Sequence, residues 1–225
     1  MPRRAAALHR RITAWHEAAH AVLAFRFGIR VNEVVLCGAG PLFGYVHVLS
    51  PPLIEDHDYW QDRPSEVTLQ HLTLDTEQHA LVYLAGPLVE AKLVGTFLRS
   101  HSCESDLAKC YRLCRLLDAY HRYLDAAYGL RVTREAPGER ASRLRLRTRR
   151  VLGHPRTWRA IKALADDVYA WSRLTGHDAA DTVQWARRIQ KQLTLLLPMP
   201  ARPGIKPRSR QGPLRAIRGV EQLTR

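Results

Sequence analysis

The 225-residue chain has little lysine, little cysteine and no long apolar run. No apolar stretch approaches the roughly 20 residues that span a bilayer, which excludes a transmembrane helix. No GxxxxGK[ST] phosphate loop occurs anywhere, so the chain does not read as an ATPase. The first residues, MPRRAAALHRR, are basic with no apolar stretch behind them, and a secretory signal is not expected. Four cysteines (Cys37, Cys103, Cys110, Cys114) are too few for a disulfide scaffold and lack zinc-ribbon spacing. A reducing, cytoplasmic setting is the simplest expectation. What remains is ordinary: 46% hydrophobic and 25% charged residues, enough for one domain with a real core.

Lysine is scarce because arginine replaces it, 30 to 5. The net charge of +14 is uneven. Residues 1–12 carry +4, residues 139–160 carry +7 and residues 199–225 carry +6, leaving a body of −3. Such segments contact nucleic acid through counterion release, or they are solvated surface. The arginine skew runs through the whole chain, and no nucleic-acid signature accompanies it. Solvated surface is therefore the expected reading, including the run 143–150, and nucleic acid is not expected as the main partner.

Periodicity predicts a helix over 5–27 with Leu8, Ile12, Trp15, Ala19, Val22 and Leu23 on one face, stopped at Gly28. VNEVVLC (31–37) and FGYVHV (43–48) read as two short strands around a Gly/Pro turn. Residues 49–75 read as a long exposed loop. A helical pattern over 76–98 is broken or kinked at Gly86-Pro87. A helix over 104–128 turns Leu107, Cys110, Tyr111, Cys114, Leu117 and Leu124 inward, with Ser102 or Ser105 as cap. Further helices are predicted near 139–152, 156–173 and 178–196. The fold class is thus mainly α, a helical array with a small two- to three-stranded β-ribbon. Residues 1–198 form the domain, and 199–225 form a basic tail expected to be disordered.

The first helix contains TAWHEAAHAV, an HExxH pattern at His16, Glu17 and His20. Residues i and i+4 share a helix face, so both imidazoles can meet one ion. Zinc takes neutral nitrogen donors and leaves one position for water. Glu17 can take the proton of that water and pass it to a leaving amine. Roughly 0.02 such matches are expected by chance in a chain of this length and composition. A third donor is needed. The metzincin continuation would require Gly and His where Leu23 and Arg26 stand, and is excluded. Two acids remain open: Glu90 in LAGPLVEAKLVG, and Asp106 in CESDLAKC. Glu90 sits in an apolar stretch, where a carboxylate needs a partner.

These motifs, in this order, resemble the FtsH-type zinc metallopeptidase domain. HEAAHAVLAF, the strand-turn-strand ending FGYV, the AGPLVE segment and Ser105-Asp106-Leu107 each match a family mark. WRAIKALADDVYAWSRLTGHDAADTV is similar to the family's closing helices, so the likeness covers roughly residues 8–190. The resemblance implies that His16, His20 and Asp106 hold Zn2+, with Glu17 as base and Glu90 orienting a ligand histidine. It also implies that substrate lies along Phe43, Gly44, Tyr45 and Val46 as an added strand. Ala19 stands where the family has glycine, AGP replaces GGR, and neither ATPase nor membrane anchor accompanies the peptidase.

The expected function is therefore a zinc-dependent endopeptidase of unfolded or flexible polypeptides. A separate ATPase or adaptor chain, and an oligomer, remain open as partners. Rival readings are a binding or regulatory module that keeps the peptidase fold without turnover, and an Arg-rich nucleic-acid-associated protein. His47, His57, His71 and His79 read as solvated histidines. Cys103, Cys110 and Cys114 read as buried small hydrophobes on one helix face. Trp158 and Trp171 read as core or interface.

Overall fold

A computed structural model of the chain describes residues 2–29, 31–36, 44–48, 66–95, 101–129 and 135–171. Among them run α1 (Pro2–Arg26), β1 (Val31–Leu36), β2 (Gly44–Val48), α2 (Glu66–Val94), α3 (His101–Tyr128), α4 (Pro137–Gly153) and α5 (Pro155–Trp171). The mainly helical class with one small antiparallel sheet is as expected. Phe43, Cys37, His57, the helix expected over 178–196 and the basic tail lie outside the described residues. No helix among the described residues is long and apolar enough to cross a membrane.

α1 is the central rod. Every residue from Thr13 to Phe25 is buried, because α2, α5 and both strands pack around it. A helix buried on all sides should be apolar on all sides. Here alanines, Val22, Leu23 and Phe25 oblige, while His16, Glu17 and His20 do not. The early turns lie outside this wrap: Leu8, expected inward, is 62% exposed. α1 ends in a left-handed Gly28 (φ 76°). The Gly28 and Ile29 amides return to the carbonyls of Phe25 and Ala24 at 3.0 and 2.9 Å, the Schellman closure that glycine permits. Ile29 is buried beyond it and the chain turns into β1.

β1 pairs antiparallel with β2, Val34 opposite Val46 and Leu36 opposite Gly44. A register irregularity between Val31 and Glu33 lets Val31, Val34 and Leu36 all turn to the core despite their odd spacing.

α2 departs from expectation twice. Residues 66–75 belong to the helix rather than to a loop. The helix also continues unbroken past Gly86-Pro87, with Pro87 in its interior. Pro87 cannot donate to the carbonyl four residues back. Burial between α1, α3 and α4 outweighs that loss, because residues 79–90 bury nearly every side chain.

α3 begins at His101, so Ser102 and Ser105 both lie within the helix rather than ahead of it. Its buried stripe is Cys103, Asp106, Cys110, Leu113, Cys114, Leu117, Tyr120, His121 and Leu124. Leu107 and Tyr111, expected inward, are 39% and 47% exposed; they lie to one side of that stripe at 100° per residue. α4 and α5 each start on a proline, whose fixed φ suits a first helical turn. α4 buries Arg140, Leu144, Thr148 and Leu152 and leaves most of the arginine run exposed, as expected. In α5, Trp158 stacks on Trp15 with ring centroids 5.2 Å apart and lies beneath the Lys92 ammonium.

Candidate metal centre

His16 and His20 lie one turn apart on α1, and their rings meet edge to face with centroids 4.6 Å apart. Both Nε2 atoms point at the same oxygen. Asp106 Oδ2, from the second turn of α3, is 2.9 Å from His16 Nε2 and 2.9 Å from His20 Nε2. Each imidazole is fixed from behind by its other nitrogen. His20 Nδ1 is 2.7 Å from the Val82 carbonyl, and a carbonyl only accepts, so that nitrogen carries the hydrogen. His16 Nδ1 donates to Glu90 Oε1 at 2.6 Å. In a neutral imidazole both Nε2 lone pairs then face inward, the tautomer that a metal requires.

α2 approaches this arrangement through its backbone. A Cβ on Gly86 would collide with the His16 ring at Nε2. β2 does the same from the other side. A Cβ on Gly44 would stand 2.9 Å from Glu17 Cγ and 3.0 Å from Glu17 Oε1. The glycines thus permit two close approaches, one to a histidine and one to the acid beside it.

The electrostatics favour positive charge at this centre. Glu17, Glu90 and Asp106 are all buried within reach of the two histidines, themselves 2% and 6% exposed. Burial raises the Glu17 carboxyl above its ordinary value, and the neighbouring His16 and His20 only partly offset it. Burial also pushes Asp106 and Glu90 upward, but their histidine partners overcome it and hold both below the ordinary carboxylate range. Burial pushes His16 down, yet Asp106, Cys103 and Glu90 around it raise it well above its ordinary value. A proton on His16 is therefore welcome here, as any positive charge would be. Lys109 adds one at the rim, its ammonium 3.5 Å from Asp106 Oδ1 and its side chain half exposed.

Two trios of donors could hold an ion: His16, His20 and Asp106, or His16, Glu90 and Cys103. The first is better formed, because the Nδ1 side of His16 is already spent on Glu90. Bonds of about 2.0–2.2 Å in a tetrahedral array separate donors by roughly 3.3 Å, so the 2.9 Å contacts need to open only slightly to admit an ion.

Of the described residues expected at the site, the structure brings His16, His20, Glu90 and Asp106 together and sets Gly44 against Glu17. Tyr45 is 45% exposed on β2, and Val46 is half-buried against the core. Several participants escaped the sequence reading. Cys103, read only as a small hydrophobe, donates to Glu90 Oε2 at 3.1 Å. Its place three residues before Asp106, on one helix face, was the available signal. Gly86 reads in the sequence only as a helix break, and nothing in the spacing points to Lys109. His79, read as solvated, is buried with Nδ1 donating to the Asp75 carbonyl, while His47 and His71 are exposed as expected. The chain matches no protein-family model, no curated protein and no solved structure.

Proposed function

We propose that this chain is a zinc-dependent endopeptidase acting on unfolded or flexible polypeptide, akin to the FtsH-type peptidase domain its motifs resemble. The observation that carries the reading is the single carboxylate oxygen of Asp106 at 2.9 Å from both HExxH imidazoles. His16, His20 and Asp106 would hold the ion. Bound there, zinc supplies a Lewis acid and lowers the pKa of water.

The chain's own residues do the rest. Glu17 accepts the proton of the attacking water and returns it to the leaving amine nitrogen. Its raised pKa brings it nearer neutrality, which suits a group that must both take and give a proton. Glu90 and the Val82 carbonyl keep both imidazoles in the right tautomer. Gly44 sets the start of β2 against Glu17, so an extended peptide paired along β2 passes the base. Strand pairing needs an extended backbone, hence the preference for unfolded polypeptide. Folded substrates would need unfolding by a separate ATPase or adaptor.

Two measurements test this together. Purified protein should carry about one zinc per chain, and Asp106→Ala should lose it. Glu17→Gln should keep zinc and lose at least about 100-fold in cleavage of an unstructured protein. Wild-type cleavage by Glu17→Gln would remove Glu17 as the base, and no zinc in reconstituted wild type would remove the enzyme.

A further inference from the structure

Glu90 has two carboxylate oxygens, and His16 Nδ1 engages only Oε1. The terminal torsion of a glutamate is broad and soft. A carboxylate held at one oxygen can swing and carry its hydrogen-bonded ring with it. Glu90 Oε2 accepts from the Cys103 thiol at 3.1 Å, and Cys103 is 1% exposed. Cys103 stands on the first turn of α3, three residues before Asp106. The contacts therefore close a ring through three helices: His16 on α1, Glu90 on α2, Cys103 on α3, and one helical turn onward Asp106, which returns to His16.

We infer that Cys103 is a positioning residue for the metal centre, locking the Glu90 carboxylate so that it presents His16 Nε2 to the ion at a fixed distance from Asp106. The inference rests on the metal-site reading above. It assigns the thiol a donor role to a carboxylate, and not a place among the ligands. Sulfur suits the position: Cys103 is small enough for the crowded start of α3 and still offers one S–H. An alanine would leave Oε2 with that donor missing, and a serine would restore a donor.

The test uses Co2+ as the probe, with wild type, Cys103→Ala and Cys103→Ser in full-length protein. Affinity comes from titration followed by visible absorption, and thermal melting of the metal-free proteins is read alongside. Loss of a group supporting a metal ligand typically weakens binding 10- to 100-fold, and about that is expected for Cys103→Ala, with Cys103→Ser within about threefold of wild type. The metal-free proteins should melt close together, which separates positioning from packing. Wild-type affinity in Cys103→Ala would overturn the inference. So would equal losses in Ala and Ser, which mark packing alone. A thiolate-to-cobalt charge-transfer band in wild type, absent in Ser, would overturn it by making Cys103 a ligand. Absence of cobalt binding by wild type would overturn this inference and the metal-site reading together, an outcome distinct from the other three.

Discussion

Gly86 faces the His16 ring so closely that any side chain there must displace something. The ring cannot move away freely, since Glu90 holds Nδ1 and Asp106 meets Nε2. Two effects compete in Gly86→Ala. Alanine gains about 0.8–1 kcal/mol of helix propensity. Forcing a methyl into a packed site costs about 1–3 kcal/mol. The clash should win, because the obstructing atoms belong to a pinned ring rather than a flexible chain end. Gly86→Ala should melt lower than wild type without metal and bind zinc at least about tenfold more weakly. Calorimetry and a zinc titration check both; a higher melting point with unchanged affinity would show that the α2 backbone gives way instead. His16, Glu17 and His20 were legible in the sequence because helical periodicity is local. Asp106 was legible only through resemblance, since nothing in the spacing chose it over Glu90. Cys103 and Gly86 were not, because contacts across 13 and 70 residues of chain leave no local pattern.

Between elements, α2 and α4 are joined by charge as well as by packing. Glu77 on α2 accepts from Arg140 at 3.3 Å and from Arg143 at 2.6 Å on α4. Glu135, just before α4, meets Arg143 at 2.7 Å. The Arg140 side chain is only 3% exposed, whereas that of Arg143 is 44% exposed. Glu77→Ala takes from buried Arg140 its nearer partner and leaves it the Glu135 carboxylate at 3.7 Å; removing a partner of a buried charge is costly, and about 3 kcal/mol of stability should be lost. Arg143→Ala removes a half-exposed partner and should lose about 1 kcal/mol or less. Denaturant unfolding of both variants measures the contrast, and equal losses would mean that Glu135, already 3.7 Å from Arg140, suffices as its partner once Glu77 is gone. Legibility at this scale followed one rule. α1, the ribbon, α4 and α5 were readable because their patterns and punctuation agree. α2 is unbroken where Gly86-Pro87 signals a stop, because packing against three neighbouring helices overrides that local signal. On α3, Cys110, Cys114, Leu117 and Leu124 turn inward as their spacing predicts, while the apolar Leu107 and Tyr111 stay exposed and Leu113 and Tyr120 are buried beside the stripe.

For the molecule as a whole, three carboxyls and two imidazoles are buried around the middle of α1, with Glu90 reaching in from α2 and Asp106 from α3. Without metal, a proton on His16 supplies compensating charge. Its folded pKa lies well above the ordinary 6.5. The stability that proton contributes is fully present below 6.5 and is lost as pH rises through the raised value. Glu17, raised from 4.5, works in the same sense, contributing at low pH and losing its contribution as it ionises. Asp106 and Glu90 work oppositely. Their folded values are depressed, so their contribution stands above 3.8 and 4.5 and disappears as pH falls through the depressed values. The metal-free protein should therefore be most stable in mildly acidic solution and weaken toward alkaline pH. Zinc reverses the alkaline side. It requires neutral His16, so binding expels the proton and affinity climbs about tenfold per pH unit for each proton released, until His16 is already neutral. Ligand stabilisation follows RT ln(1 + [L]/Kd), so the rise in melting temperature on adding a fixed zinc excess should be larger at about pH 8 than at about pH 6. Melting curves with and without zinc at both values decide it. An equal rise at both would mean that the ion does not displace the His16 proton, and that the centre is held by some donor set other than His16, His20 and Asp106.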